Sequence, residues 1–247
     1  MGFKDHFSGH AAIYAAARPT YPDELFDWLA AQCPSRTLAW DAGCGNGQAS
    51  LALADRFDHV HATDASAAQI AAAPAHPRIH WAVEPGETSS LADASADLVT
   101  VAQAWHWFDH PRAIAEFRRV LRPGGVVALW TYGISRVDAA VDAVFDRLYD
   151  GPLGPYWPPE RRHVENGYRE LPFPFAEVTT PAFAMVQRWT LPQYLAYLRS
   201  WSASQRHLAA TGVDAVSAME ADFAAAWGAP EMGREVRWPL GLRVGSS

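Results

Sequence analysis

The chain has 247 residues, of which 49% are hydrophobic, enough for one large α/β domain with an embedded cap and too apolar for a disordered segment. The formal net charge is −7 and Lys4 is the only lysine, which excludes a basic nucleic-acid surface. The two cysteines, Cys33 and Cys44, make no disulfide framework, so a reduced, cytoplasmic protein is expected.

The first residues carry Lys4, Asp5, His6 and His10 before any apolar run, unlike a signal peptide. No apolar run approaches the roughly 18 residues a membrane helix needs. Phe3, Phe7, Ile13 and Tyr14 form a loosely helical pattern that ends at Arg18-Pro19-Thr20-Tyr21-Pro22. Asp23 to Gln32 predicts a helix, with Pro22 and Asp23 in its first turn and Leu25, Phe26 and Leu29 as its apolar stripe.

Leu38, Ala39 and Trp40 read as a buried strand of a parallel sheet, ended by Asp41. Gly43, Gly45 and Gly47 then let the backbone bend sharply and approach a ligand closely. A helix over Gln48 to Phe57 follows, apolar at Leu51, Ala54 and Phe57. A dinucleotide fingerprint needs glycine at the first, third and sixth places, and the sixth place from Gly43 is Gln48, so that pattern fails. The stretch is D-x-G-x-G-x-G, which resembles motif I of the class I S-adenosylmethionine (SAM) methyltransferases. SAM brings an ammonium, a carboxylate, a ribose and a sulfonium, and no pyrophosphate. The resemblance implies that Asp41 holds the ammonium, directly or through water, and that backbone N–H groups around Gly43, Cys44 and Gly45 hold the carboxylate.

His59 to Asp64 is the second strand. Asp64 lies 21 residues after Gly43, where an acid accepts hydrogen bonds from ribose hydroxyls, a requirement that NAD and SAM share. Ala65 joins the cofactor set beside it, and Ser66 caps a helix over Ala67 to Ala73. Ile79 to Val83 is the third strand. In the methyltransferase family a small residue followed by an acid after this strand lies beside the adenine, and Gly86 and Glu87 match that pair; read without the resemblance they are a turn.

Asp97 to Ala102 is the fourth strand, followed by Gln103-Ala104-Trp105-His106-Trp107-Phe108-Asp109. The ends of parallel strands are where α/β enzymes place their sites. The segment is similar to the Q-A-x-H-W-F-D signature of the methyltransferase type 11 subgroup, related to the trans-aconitate methyltransferase-like enzymes. The flanking S-A-D-L-V-T and E-F-R-R-V-L-R-P-G-G fit the same family, and the likeness covers most of residues 3 to 132. It implies that Gln103 faces the methionine part of SAM, that His106 is a candidate general base against the alternative of a structural histidine, and that Trp107 walls the substrate pocket. It also implies a lid before the sheet, with Tyr14, Arg18 and Tyr21 at the mouth; the alternative is that the tyrosines pack this segment onto the domain.

Pro111 to Leu121 predicts a helix ended by Arg122-Pro123-Gly124-Gly125, then a fifth strand, Val126 to Tyr132, with Tyr132 within reach of the pocket. Val137 to Tyr149 is the next helix. The proline-rich run Gly151 to Arg162 reads as an aromatic loop over the site, with Trp157 in it. A sixth strand is expected within Phe175 to Thr190, helices over Leu191 to Leu208 and Val213 to Trp227, and a last strand, Arg237 to Val244, antiparallel to the fifth.

The expected fold is Rossmann-like α/β, a seven-stranded mostly parallel sheet with an antiparallel last strand and a helical cap. The expected division is a lid and first helix over 1–34, a SAM-binding core over 35–150, a further core strand and cap helices over 151–235, and the last strand over 236–247. Arginines 161, 162, 199 and 206 fall in the cap, and any that point inward favour an anionic acceptor. No metal is expected, because the histidines show no ligand spacing; His76 and His80 only flank a proline and a strand. The function expected is methyl transfer from SAM, leaving S-adenosylhomocysteine, to a small molecule, with carboxylate O-methylation as one option. The alternatives are a SAM-binding protein without turnover and an NAD(P)-dependent oxidoreductase.

Overall fold

The computed structural model describes residues 19–247. Tyr14, Arg18 and the apolar pattern at Phe3, Phe7 and Ile13 lie outside the described residues.

Helix α1 (Asp23–Gln32) buries Leu25, Phe26 and Leu29, the stripe read from the sequence. Five parallel strands follow: β1 (Leu38–Ala42), β2 (His59–Asp64), β3 (Ile79–Val83), β4 (Ala96–Ala102) and β5 (Leu121–Tyr132). Between them come α2 (Gln48–Ala54), α3 (Ala67–Ala71) and α4 (His110–Val120). The eight-stranded sheet has the order β3-β2-β1-β4-β5 followed by β8 (Arg234–Ser246) and β6 (Ala176–Glu177), with β7 (Ala184–Trp189) paired to β8 off this path. The chain's succession across the sheet reverses between the parallel neighbours β1 and β4, and at such a switch point the carboxyl ends of the strands open a crevice. The region expected to hold one sixth strand holds two short ones, β6 (Ala176–Glu177) and β7 (Ala184–Trp189).

Strand β8 (Arg234–Ser246) is the expected antiparallel partner of β5, and longer than expected. Its residues 240–246 pair with β5, from Tyr132↔Leu240 to Val126↔Ser246. Its earlier half continues past the sheet and pairs with β7, from Ala184↔Pro239 to Trp189↔Arg234. Arg122 to Gly125 were expected to end the preceding helix, which does end at Val120, and to precede the strand. They stay in β5 as an irregularity, with the β4 pairing jumping from Ala96↔Leu121 to Leu98↔Val126.

Alternation along β1 and β5 divides the core. Ala39, Val126, Ala128 and Trp130 face α1 and α2, while Trp40, Val127 and Leu129 face α4 and the segment around Tyr168. The cap has its own core. Helices α5 (Ala139–Asp150), α7 (Leu191–Arg199), α9 (Ala215–Ala218) and α10 (Glu220–Trp227) pack around Phe145, Tyr194, Trp227 and Trp238.

The cap differs from the sequence reading in one respect: each long expected helix is two. Between α7 and α8 (Ser202–Thr211) the Ser200 hydroxyl donates to Tyr197 O at 2.6 Å and the Ser204 hydroxyl to Leu198 O at 2.7 Å. Serine satisfies the helix-end carbonyls and releases the chain. Trp201 takes an extended backbone there and drives its ring against Phe145, Tyr149, Trp157 and Tyr197. Likewise Asp214 caps α9 through Val216 and Ser217, and Met219 breaks it from α10. Over the main sheet, Gly167 lies so close to Gly241 that a Cβ on Gly241 would stand 2.6 Å from the Gly167 Cα.

Candidate functional site

The glycine turn after β1 is built on Thr63 and Asp64. The Thr63 carbonyl accepts from Gly43 N–H at 2.8 Å and Cys44 N–H at 2.9 Å. The Asp64 carboxylate accepts from Gly45 N–H at 2.9 Å and Ser66 N–H at 2.8 Å. The first two amides are therefore committed to the protein, and the expectation that Gly43 and Cys44 donate them to the cofactor's carboxylate does not fit this arrangement. Two backbone bonds leave the Asp64 carboxylate with lone pairs to spare for a ribose diol. Ala65 follows it and is exposed.

Each glycine here has its own cause. A Cβ on Gly47 (φ +95°) would stand 2.2 Å from the Trp81 ring. One on Gly43 would meet Ala104 Cβ at 2.7 Å and the Phe108 ring at 3.2 Å, and one on Gly86 the Phe108 ring at 2.2 Å. Gly45 is different. Its nearest neighbour would be Gln69 Oε1 at 3.9 Å, so it faces open space with φ +56°. Of these glycines Gly45 alone opens outward, beside the Asp64 carboxylate, and this bare backbone with an acid at its edge fits the ribose-bearing part of SAM.

Asp41 is fully buried. Its carboxylate accepts from the Ser50 hydroxyl at 2.6 Å and the Thr100 hydroxyl at 2.9 Å. Burial pushes its carboxyl up to about 6, against the two hydrogen bonds. Burial, with Asp41 and Asp64 nearby, also pushes the Cys44 thiol upward, so it is no nucleophile. Cys33 is pushed up to about 12, and the two cysteines are unbonded.

The loops after β3 and β4 are joined. Glu87 accepts from Asp109 N–H at 2.8 Å, and Phe108 wedges between Gly43 and Gly86. Gln103 directly follows β4 with φ +58°, a conformation uncommon outside glycine, held by its surroundings. Its side-chain amide donates to Tyr132 O at 2.8 Å, and its oxygen accepts from the Thr131 hydroxyl. Tyr132 is buried and meets Tyr21 edge-on at 6.2 Å; Tyr21 also meets Trp130 at 5.5 Å. Gln48 donates to Pro19 O at 2.7 Å, which ties this entering segment to α2.

His106 and the Tyr168 hydroxyl are joined through Nδ1 at 2.9 Å. Burial, then His163, Arg161 and His110, pushes the imidazole down to about 4, so it is neutral near pH 7. Trp107 leans on it at 4.7 Å and is 48% exposed, at the cleft edge. Trp157 lies further out, packed on Tyr149 at 4.7 Å and Trp201 at 5.4 Å. The structure thus gathers Gly43, Cys44, Gly45, Asp64, Gly86, Glu87 and Gln103 at one end of the sheet, with His106, Trp107, Tyr21 and Tyr132 around them.

Three participants escaped the sequence reading. Phe108 stood in the aromatic run, but its fit against two distant glycines is a tertiary fact. Thr131 looked like any strand residue. Tyr168 (φ +62°, fully buried) follows Gly167 in a stretch without periodicity, and no signal marked it.

No helix among the described residues is long and apolar enough to cross a membrane. A family model described as a methyltransferase domain matches residues 40–129. A Dictyostelium discoideum protein named as a methyltransferase is 33% identical over 204 residues, 81% of this chain and 78% of its own. An uncharacterized methyltransferase of Mycobacterium tuberculosis is 40% identical over 124 residues, and the match spans only half of either chain, 50% of each. A solved structure from Anaeromyxobacter dehalogenans, described as a type II methyltransferase, is 51% identical over 93% of this chain and 97% of that one, with a TM-score of 0.90. With relatives of that identity matched over most of both chains, the protein belongs to the class I SAM-dependent methyltransferases, whose cofactor is SAM.

Proposed function

We propose that the protein methylates a small organic acceptor, and that a carboxylate oxygen is the acceptor its site suits best. The observation that carries this is His106. Its imidazole is tied to Tyr168 and pushed down to about 4, so it is a weak base. An amine, phenol or carbon acceptor often needs a stronger one; a carboxylate needs none. When bound, SAM supplies a methyl carbon already activated by its sulfonium. The chain's own work is then to align the acceptor and keep the site dry.

In this reading Asp64 and Ala65 hold the ribose side, Gly86 and Glu87 the adenine side, and Gln103 the methionine side. Asp41 sits behind the glycine turn as a buried anion and favours the ammonium through it. His106 orients the acceptor, Trp107, Tyr132 and Trp157 wall the pocket, and Tyr21 borders the mouth. Residues 35–150 form the SAM core, 1–34 the lid and first helix, 151–235 a core strand and the substrate cap, and 236–247 the last strand. The unbonded cysteines support a cytoplasmic setting.

The test is thermal unfolding with SAM, S-adenosylhomocysteine and NAD(P) added separately. Ligand at 100 times its dissociation constant adds about 2.7 kcal/mol, which moves the midpoint by roughly 5–11 °C. The two sulfur compounds should give that shift, and Asp64→Ala and Asp64→Asn should remove it. Unchanged affinity in both variants refutes the site. A shift with NAD(P) alone points to an oxidoreductase, and tight cofactor binding without transfer to any acceptor points to a SAM-binding protein without turnover.

A further inference from the structure

We propose that Arg161 is the residue that selects an acidic acceptor, by gripping its carboxylate; this rests on the small-acceptor reading above. Arg161 opens α6 (Arg161–Glu165), directly after the proline-rich loop. Its guanidinium lies 4.8 Å from the centre of the Trp157 ring and 5.7 Å from that of Tyr149. Its Nε donates to the Tyr149 hydroxyl at 2.9 Å, and that hydroxyl donates to Glu165. Glu165 itself stands 3.5 Å from Nε. These contacts fix one edge of the guanidinium and stack its face.

The other edge is open. Among the described residues, neither terminal nitrogen of Arg161 meets a carboxylate or a carbonyl, yet the side chain is only 20% exposed. Nη2 lies at the end of β5, 3.9 Å from where a Cβ of Gly133 would be. Gly133 follows Tyr132, whose carbonyl takes the Gln103 side chain, so the open edge is one residue from the cofactor set. The positive charge of Arg161 is also among those that keep His106 neutral.

The other cap arginines are placed differently. Arg199 is spent on Asp214 and Glu220, and Arg206 reaches Tyr156 O at 3.3 Å on the surface. Arg162 is exposed. A stacked guanidinium with a shielded, unused fork is suited to a planar carboxylate, which it can bind through two parallel hydrogen bonds. An open groove of about 870 Å³, lined by Val164 and Glu165 of the same helix and by Gly133 but not by Arg161 itself, runs from there towards residues 177–182.

The experiment is isothermal titration into protein loaded with S-adenosylhomocysteine. The probes are matched pairs, each acid against its primary amide: phenylacetate, cinnamate, hexanoate and succinate. Wild type should bind at least one acid roughly tenfold or more tighter than its amide, the worth of one charge-assisted pair. Arg161→Gln and Arg161→Met, the second keeping the alkyl packing on Trp157, should lose that preference while retaining S-adenosylhomocysteine affinity. Arg161→Lys should keep part of it, and Arg162→Gln all of it. The proposal is overturned if both neutral variants keep the preference, or if wild type shows none across the panel. If S-adenosylhomocysteine itself fails to bind, the cofactor assignment falls first and takes this inference with it, an outcome visible before any acid is added.

Discussion

Asp41 shows how one side chain trades stability for readiness. In the unfolded chain its carboxyl ionises near 3.8; buried, it does so near 6. Between those values the folded protein binds a proton that the unfolded chain does not, so this group adds stability as pH falls and costs it above about 6. The full difference is about 3 kcal/mol. Wild type should therefore gain on Asp41→Asn by that order between pH 8 and pH 4, measured by urea unfolding at each pH. His106 works in the opposite sense: its folded value lies below the ordinary 6.5, so it costs stability as pH falls from there towards 4. Comparing each variant with wild type at the same pH separates the two. A bound ammonium favours ionised Asp41, so S-adenosylhomocysteine affinity should weaken as pH drops below about 6; titration at pH 5 and pH 7.5 checks it.

At the scale of elements, the loops after β1, β3 and β4 form one unit because Phe108 fills the space that two glycines leave. Gly86 has no positive φ, so its cost of substitution is the clash alone. Gly86→Ala should destabilise by about 1–3 kcal/mol, and Phe108→Ala, itself a loss of packing, should make Gly86→Ala nearly neutral in a double-mutant cycle. The strands were legible because continuous apolar runs between turn residues mark buried parallel strands; β2 and β3 match residue for residue. The glycine turn and Asp64 stood out by their spacing along the chain, whereas Gln103 was singled out only by the family resemblance. The cap was not. The stripes of α7 and α10 were visible, but the break at Trp201 comes from an aromatic cluster assembled from α5 and the proline-rich loop. The Tyr168–His106 pair joins residues 62 apart in sequence, a distance no periodicity reports.

For the whole molecule, β8 is the decisive element. One half closes the main sheet against β5, and the other carries β7 and, through Val236 and Trp238, the core of the cap. Neither half can leave without unpairing the other. The cap and the cofactor core should thus unfold in one transition, with near-ultraviolet dichroism, dominated by the many tryptophans, and far-ultraviolet dichroism giving the same midpoint in guanidinium. Two separated midpoints would show that the strand does not couple them.

The meeting of Gly167 and Gly241 bears on descent as well as on form. A side chain at 241 would strike the backbone of the loop that presents Tyr168, and Gly167 holds φ +65°. Neither site can acquire bulk by itself, so a lineage that loses one glycine has to rebuild the neighbouring loop in the same step. Across a family tree, positions 167 and 241 should therefore change together, in branches where the partner of His106 has also been replaced. An alignment in which the two drift independently would show that the loop can be raised off the sheet at little cost.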